Sequence, residues 1–156
     1  MEIGEPDKYR PEEGIIRVTV DSSQRGMVSG VDKKELDEIH EDMKYLLEEF
    51  MIKPIDKKPL CHVPGKICWI LNVDVFCLTL LKPVFIDKIS LGIRSALTNL
   101  EIPEVSVAQN QITLEYELDI VEDRIKTIGD FIDMNKVPII VTIGEVCIFE
   151  KSNVIT

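Results

Sequence analysis

A long apolar run from Lys66 to Leu81 sets the strictest limit on how this chain can fold. It is rich in β-branched and aromatic residues, and Pro64 and Gly65 stand directly before it. This composition favours a β-strand in the centre of a sheet over a buried helix. The polar residues Asn72 and Asp74 lie two positions apart, so both side chains point to the same face. We therefore expect a central, buried strand that contains one unusual acid.

The segment before this run predicts an amphipathic helix. Asp32 is a favourable N-cap, and Glu35, three residues later, completes a capping box. Val31 can pack against Leu36 as a hydrophobic staple. One helical stripe carries the apolar residues Leu36, Ile39, Met43, Leu46, Leu47, Phe50 and Met51. Burying this stripe contributes on the order of 10 kcal/mol before entropy is counted, so the helix needs a sheet or another helix beneath it.

A second helix is predicted to begin at Pro83, a residue favoured in the first turn. Its apolar stripe comprises Ile86, Ile89, Ile93, Ala96, Leu97 and Leu100. Gly92 inside this helix costs about 1 kcal/mol relative to alanine, which suggests that another element approaches closely there. Pro103 closes the segment.

The remaining segments predict strands and connections. Gly14–Asp21 alternates apolar and polar residues as a half-buried strand does, after an irregular entry over residues 1–13. Ile52–Gly65 holds three prolines and is predicted to be a connection. Two hairpins follow the second helix: Val105–Val107 with Gln111–Glu117 around Ala108–Asn110, and Val137–Ile143 with Glu145–Glu150 around Gly144. Leu118–Lys136, between the hairpins, is mixed and acidic, with only a weak helical pattern.

This order of elements, β-α-β-α-β-β-β-β, predicts an α+β fold, with a mixed sheet and two helices packed on one face. Residues 1–156 fit a single domain large enough to bury a core. No apolar run reaches the roughly 18 residues of a membrane span, and no signal sequence is recognisable at the N-terminus. We therefore expect a soluble, intracellular chain with no membrane partner.

The formal net charge of −10 argues against binding of RNA or DNA by this chain alone, because phosphate contacts need Lys and Arg. A weak basic edge on the second helix is predicted from Lys82, Lys88 and Arg94. The four cysteines are Cys61, Cys68, Cys77 and Cys147. We expect reduced thiols packed as small apolar residues, since the spacing of Cys61-His62 and Cys68 matches no closed zinc site.

Few groups in the sequence suit catalysis, and the common phosphate-binding, nucleophile-elbow and zinc-protease motifs are absent. His40 is expected on a solvated flank of the first helix, beside Glu41. Asp74 could be a catalytic or substrate-binding acid, but no second carboxylate or base stands at a supporting spacing. A structural acid that accepts hydrogen bonds from a helix N-terminus or a loop is the favoured interpretation. We expect no catalytic residue, no metal site and no cofactor.

Three blocks of sequence share a recognisable pattern: Lys66–Val75 (KICWILNVDV), Phe85–Val107 (FIDKISLGIRSALTNLEIPEVSV) and Val137–Gly144 (VPIIVTIG). Their distinctive residues are Cys68-Trp69-Ile70-Leu71, Val73-Asp74-Val75, then Asp87, Ile89 and Ser90, and finally Asn99, Ile102 and Pro103. Together with Val20-Asp21-Ser22, these blocks resemble the ribonuclease PH family over most of the chain, less so over residues 108–136. The resemblance implies a ribonuclease PH-like (ribosomal protein S5 domain 2-like) sheet.

Departures from the family pattern imply an inactive member. Active members follow the strand with a Gly-Gly-Thr-Arg type loop that holds phosphate, whereas Thr79–Pro83 contains neither Gly nor Arg. They also carry arginines on the first helix, where this chain places Glu38 and Asp42. The acid expected after the last hairpin corresponds to Asn153, whose amide cannot act as a general acid.

The resemblance thus implies a non-catalytic structural subunit of the RNA exosome core ring. Its partners would be other ring subunits of the ribonuclease PH family, and RNA would be bound through the assembled complex, in the nucleus, nucleolus and cytoplasm. The alternatives are a phosphorolytic 3′–5′ exoribonuclease subunit and an unrelated protein-interaction domain. Family members carry further strands before Gly14 and another strand and helix after the last hairpin. We therefore expect a domain truncated at both ends, with an open sheet edge at Gly14–Asp21.

Overall fold

The structure, a computed structural model, describes residues 1–22, 33–78, 82–109 and 116–143. In these residues the strands and helices are β1 (Glu2–Gly4), β2 (Ile15–Ser22), α1 (Lys33–Leu47), β3 (Cys61–Val63), β4 (Ile67–Cys77), α2 (Ile86–Thr98), β5 (Glu101–Gln109) and β6 (Tyr116–Thr127). The predicted α+β class is confirmed. The proposed capping box and staple depend on Asp32 and Val31, which lie outside the described residues.

The sheet is built around β4 and is mixed. β2 runs parallel to β4 through eight residue pairs, from Ile15 opposite Ile70 to Ser22 opposite Cys77. β1 pairs antiparallel with the start of β4, and the short β3 also pairs there. Parallel neighbours need a crossover connection, which α1 supplies. Within the described residues β2 pairs only with β4. The open edge predicted for the Gly14–Asp21 strand stays a prediction.

Both helices cover the same face of this sheet, as predicted. α1 contacts β2, α2 contacts β4, and the two helices contact each other. Their buried residues form one core cluster with the strands, including Val18, Leu71, Met43, Leu47, Ile93 and Leu97. The alternation of β2 follows from this arrangement, because its even-numbered residues from Ile16 to Ser22 are buried beneath the helices.

The prediction of an apolar stripe on the first helix is wrong at the C-terminal end of that helix. Residues Glu48–Ile52 continue α1 as a π-helical turn, which contains more residues per turn than an α-helix. The change of phase buries Met51 and Ile52 but leaves the Phe50 side chain 57% exposed. The prediction that Phe50 belongs to the buried stripe is therefore wrong.

The strand in the Lys66–Leu81 run is central only at its beginning. Ile67–Leu71 are buried, whereas the residues from Asn72 onward alternate between exposed and half-buried. β1 flanks β4 only from Cys68 to Ile70, so among the described residues the later part has a strand neighbour on the β2 side alone. The prediction of a strand buried throughout is therefore wrong. Thr79–Leu81 lie outside the described residues.

The second helix departs from its prediction at two small residues. A 3-10 turn at Pro83–Phe85 precedes α2, and Ile86, Ile93 and Leu97 are buried as expected. Ala96 is exposed, however, and no atom lies within 4 Å of a Cβ built at Gly92. The predicted close approach at Gly92 is therefore wrong, and this side of the helix is open.

The first predicted hairpin exists but is longer than expected. β5 and β6 pair antiparallel from Glu101 opposite Thr127 to Gln109 opposite Tyr116. The register shifts between Pro103 and Glu104, where proline provides no backbone N–H for the ladder. β6 extends to Thr127, so the weak helical pattern over this stretch was misleading. Residues 110–115, including part of the predicted Gln111–Glu117 strand, lie outside the described residues.

Two further sequence predictions are incomplete, and a third is wrong. Residues 1–13 and the connection Ile52–Gly65 contain the short strands β1 and β3, which form only because β4 offers them a partner. Val137–Ile143 forms no strand in the described residues. There the Ile140 N–H donates to Ser90 Oγ at 3.1 Å, so this segment lies against α2 instead. Its predicted partner, Glu145–Glu150, lies outside the described residues.

A buried lysine joins the end of the helical segment to the start of β2. The Lys57 ammonium donates to the carbonyls of Ile52 and Ile55, at 3.1 and 3.0 Å. The Ile52 carbonyl, at the end of the helical segment, also accepts from the Ile55 N–H at 3.2 Å. The Lys57 carbonyl in turn accepts from the Gly14 N–H at 2.9 Å. Desolvation by burial lowers the pKa of Lys57.

Two glycine-to-alanine substitutions should change stability in opposite directions. A Cβ at Gly14 would clash with Leu60 Cβ and lie 3.0 Å from the Trp69 carbonyl oxygen. Gly14→Ala should therefore lower the free energy of unfolding by about 1–3 kcal/mol. Gly92→Ala adds a methyl group in open space within a helix and should raise it by about 1 kcal/mol. Urea unfolding at 25 °C measures both, and changes of the same sign would contradict the fold described.

The lowered pKa of Lys57 predicts a pH dependence of stability. Between that lowered pKa and the ordinary value of 10.5, the unfolded chain binds more protons at this residue than the folded chain. The free energy of unfolding should therefore rise with pH across this window. Lys57→Met lacks the titrating group, so the difference between the wild type and this variant isolates the effect. A difference that stays constant or falls between pH 7 and 10.5 would refute the assignment.

Candidate functional site

Asp74, the most unusual acid in the sequence, lies on the exposed face of β4. Parallel pairing places Thr19 of β2 directly opposite, and the Thr19 hydroxyl donates to Asp74 Oδ1 at 2.5 Å. Asp74 thus accepts a hydrogen bond from a strand residue rather than from the expected helix N-terminus or loop. Asp74 is exposed, and within the described ranges no second carboxylate or base is hydrogen-bonded to it.

His40 is buried rather than solvated, which corrects the sequence prediction. Only 3% of its surface is exposed. Its Nδ1 lies 2.5 Å from the Leu36 carbonyl and its Nε2 lies 3.2 Å from Ser22 Oγ. The carbonyl can only accept, so Nδ1 carries a proton and Nε2 can accept from the Ser22 hydroxyl. His40 thus joins α1 to the end of β2 inside the protein.

The cysteines and His62 do not form a metal site in the part of the chain that the structure describes. No group of three or more His, Cys, Asp or Glu residues comes together there. Cys68 is buried, while Cys61 and Cys77 are half-buried, and burial raises the pKa of all three thiols. Burial also lowers the pKa of His62, whose ring packs edge-on against Trp69. Cys147 lies outside the described residues.

The three basic residues predicted to form an edge on α2 do not converge on a common point. Lys88 stacks over the Phe85 ring at 5.4 Å from its centroid. Arg94 donates to the Met134 carbonyl at 3.2 Å and so ties down the chain after β6. Lys82 is exposed. These contacts give Lys88 and Arg94 structural roles.

The exposed face of α1 is acidic. A shallow groove of about 420 Å³ is lined by Lys34, Asp37, Glu38, Glu41 and Asp42. Glu38 forms an exposed ion pair with Lys34 at 3.8 Å, and Asp42 is exposed. The carboxylates of Glu38 and Asp42 therefore face solvent. Thr79–Leu81 and Asn153, the other two departures, lie outside the described residues.

The side of β4 that faces away from β2 is open over much of its length in the described part of the chain. In the described residues no strand pairs with Asn72–Cys77 on this side, which we term the free edge of β4. Two cavities of about 220 Å³ each lie between this edge and α2. One is lined by Val73, Asp74, Val75, Ile89, Gly92, Ile93 and Ala96. In the sequence, Gly92 is the feature that points to this site, and it predicts a close contact rather than an open groove.

None of the helices in the described ranges is both long and apolar enough to cross a bilayer. No family model matches the chain. Among solved structures, the chain is similar to an Archaeoglobus fulgidus exosome with RNA bound to the active site, at 23% identity and a TM-score of 0.49 over 65% of this chain. It is also similar to an archaeal exosome core, at 22% identity and a TM-score of 0.46 over 77% of this chain. The matches cover 40% and 42% of those two chains.

The contact between Thr19 and Asp74 should contribute little to stability because it is exposed. We expect Asp74→Asn and Thr19→Val each to change the free energy of unfolding by less than about 1.5 kcal/mol. A double-mutant cycle should give a coupling energy below about 1 kcal/mol. Urea unfolding of the four proteins provides the measurement. A coupling of several kcal/mol would show that Asp74 is desolvated, contrary to its position here.

Proposed function

We propose that this chain is a non-catalytic structural subunit of the RNA exosome core ring. In this role it supports 3′–5′ RNA processing and degradation, including ribosomal RNA maturation. Its sequence blocks resemble those of the ring subunit called ribosomal RNA-processing protein 42, a member of the ribonuclease PH family. The blocks Lys66–Val75 and Phe85–Val107 coincide with most of β4 and with α2 and much of β5. The likeness therefore falls on the elements that build the sheet and its second helix.

The observation that carries the non-catalytic assignment is the exposed pair of carboxylates on α1. Active members of the family place arginines where this chain has Glu38 and Asp42. Carboxylates at these positions repel both inorganic phosphate and the RNA backbone, whereas arginines attract them. The sequence Thr79-Leu80-Leu81-Lys82-Pro83 adds support, since it lacks the glycines and arginine of the phosphate-binding loop.

A structural subunit needs surfaces for its neighbours, and this sheet has two open edges in the described residues. In that part of the chain no strand pairs with the outer edge of β2, and none pairs with the free edge of β4. In the proposed role, edges of this kind contact other ring subunits of the ribonuclease PH family. RNA passes through the assembled complex, which compensates for the net charge of −10 on this chain. The nucleus, nucleolus and cytoplasm are the compartments that this role implies.

Affinity purification tests the assembly half of this proposal. A tagged chain expressed in its native cells should recover the ribonuclease PH-type exosome subunits in fixed stoichiometry, and should sediment with them as one complex. The control is the untagged chain, expressed and purified in the same way. Recovery of no exosome subunit by the folded wild type would overturn the ring assignment and favour an unrelated interaction domain.

An RNA degradation assay tests the catalytic half separately. The purified chain, given a single-stranded RNA and inorganic phosphate, should release no nucleoside diphosphates. Removal of both carboxylates in Glu38→Gln with Asp42→Asn should not restore activity, because the phosphate loop is missing as well. Phosphate-dependent release of nucleoside diphosphates by the wild type would identify it as a phosphorolytic exoribonuclease instead.

A further inference from the structure

We propose that the free edge of β4 is a docking site for one more β-strand, supplied by an extended segment of a partner polypeptide. The segment has apolar residues at alternate positions and a basic residue opposite Asp74. This inference goes beyond the proposed function, since it concerns how a partner binds and does not depend on that partner's being an exosome subunit.

The register of β1 fixes the direction of the added strand. Glu2 lies opposite Ile70, Ile3 opposite Trp69 and Gly4 opposite Cys68, in antiparallel pairing. A strand continuing the line of β1 in the same direction therefore runs past Leu71 along Asn72–Cys77. Backbone groups on an unpaired strand edge are a ready template for such an addition.

The cavities beside this edge set the side chains that fit. Directly opposed residues share a face of the sheet, so residues opposite Val73, Val75 and Cys77 face α2. The two cavities of about 220 Å³ lie in that direction. Gly92 and Ala96 bring little side-chain volume to this side of α2, and a Cβ at Gly92 would meet nothing within 4 Å. The space therefore accepts medium-sized apolar side chains such as valine.

The other face of the added strand lies beside an acidic side chain, that of Asp74. Asn72, Asp74 and Phe76 are exposed there. The Glu2 carboxylate at the same end of the sheet accepts from Asn72 at 3.4 Å and is already paired with Arg17 at 3.7 Å, so Asp74 is the acid on this face that is available to a partner's cation. Asp74 accepts from Thr19, and a carboxylate has capacity for further donors. A lysine or arginine opposite Asp74 complements this face, and exposed Phe76 offers apolar surface beside it.

Charge also decides between possible occupants. Nucleic acid is disfavoured by Asp74 and by the net charge of −10. Two copies of this chain joined antiparallel through this edge would place their Asp74 carboxylates near each other on one face, which is unfavourable. A basic strand from a different polypeptide has neither conflict.

Peptide binding provides the direct test. A hexapeptide Val-Thr-Val-Lys-Val-Thr, capped at both ends, places valines toward α2 and its lysine opposite Asp74. NMR titration should shift the amides of Asn72–Cys77 and of the α2 face around Gly92. A rearranged peptide of the same composition, Val-Val-Thr-Lys-Thr-Val, should bind at least tenfold more weakly. Replacing the lysine with glutamate should weaken binding and reverse its salt dependence.

Backbone methylation distinguishes strand addition from a purely apolar contact. N-methylation of one alternate set of peptide amides removes the donors that face β4, and should abolish binding. Methylation of the other set removes only solvent-facing donors, and should leave the affinity within about threefold. Equal effects of the two modifications would overturn the proposal, whatever the affinity of the parent peptide.

A matched pair of helix variants locates the site on the protein. Gly92→Leu fills the groove beside β4 and should weaken peptide binding at least tenfold. Ser95→Leu adds the same side chain to an exposed position of α2 outside the groove and should leave binding unchanged. Circular dichroism confirms that both variants are folded. Equal loss of binding in both variants would contradict the assigned site.

Fusion of the strand to the chain keeps the proposal testable if the free peptide binds too weakly to detect. The β1 register places six residues added directly before Met1 opposite Asn72–Cys77. With the sequence Val-Thr-Val-Lys-Val-Thr this fusion should raise the Tm and protect the amides of Asn72–Cys77 from hydrogen exchange. The rearranged sequence should do neither. Equal effects of the two fusions, or no effect of either, would refute strand addition at this edge.

Discussion

The parallel pairing of β2 with β4 is the constraint on which the rest of the fold depends. Parallel neighbours cannot be joined by a tight turn, so the chain between them must cross over the sheet, and α1 occupies that path. The crossover buries the same face of both strands. It also makes the junction at Gly14 crowded, because the start of β2, the Leu60 side chain and the Trp69 carbonyl meet there. Lys57 holds this junction by capping the preceding helical segment.

Elements whose burial follows a single period could be predicted from the sequence. β2 alternates because helices cover only one of its faces, and the stripe of α2 from Ile86 to Leu97 follows the helical repeat. The sequence predictions are wrong where a local change in the backbone or a neighbouring element alters the period of buried residues. The π-helical turn at Glu48–Ile52 shifts the phase of the first helix and turns Phe50 outward. Short strands such as β1 carry too few residues to show any period, and exist because of their partner.

The candidate site was less predictable than the fold, because it depends on register and on absent neighbours. Asp74 could be recognised as an unusual acid, but its partner Thr19 is set by the pairing of β2 with β4 rather than by any local pattern. His40 next to Glu41 has the composition of an exposed helix flank. Only the position of Ser22 at the end of β2 explains its burial. Gly92 does lie in the groove between α2 and β4, but the groove is open at this residue rather than closely packed.

The pairing of β2 with β4 has a kinetic consequence as well as a structural one. Thr19 and Asp74 meet across 55 positions of sequence, whereas β5 and β6 are joined by a short connection. Contacts between distant segments must overcome the entropy of closing a long loop before any burial compensates for it. The β5–β6 hairpin can therefore form early, on the microsecond scale typical of hairpins. The central sheet assembles later, once α1 has brought its two parallel strands together.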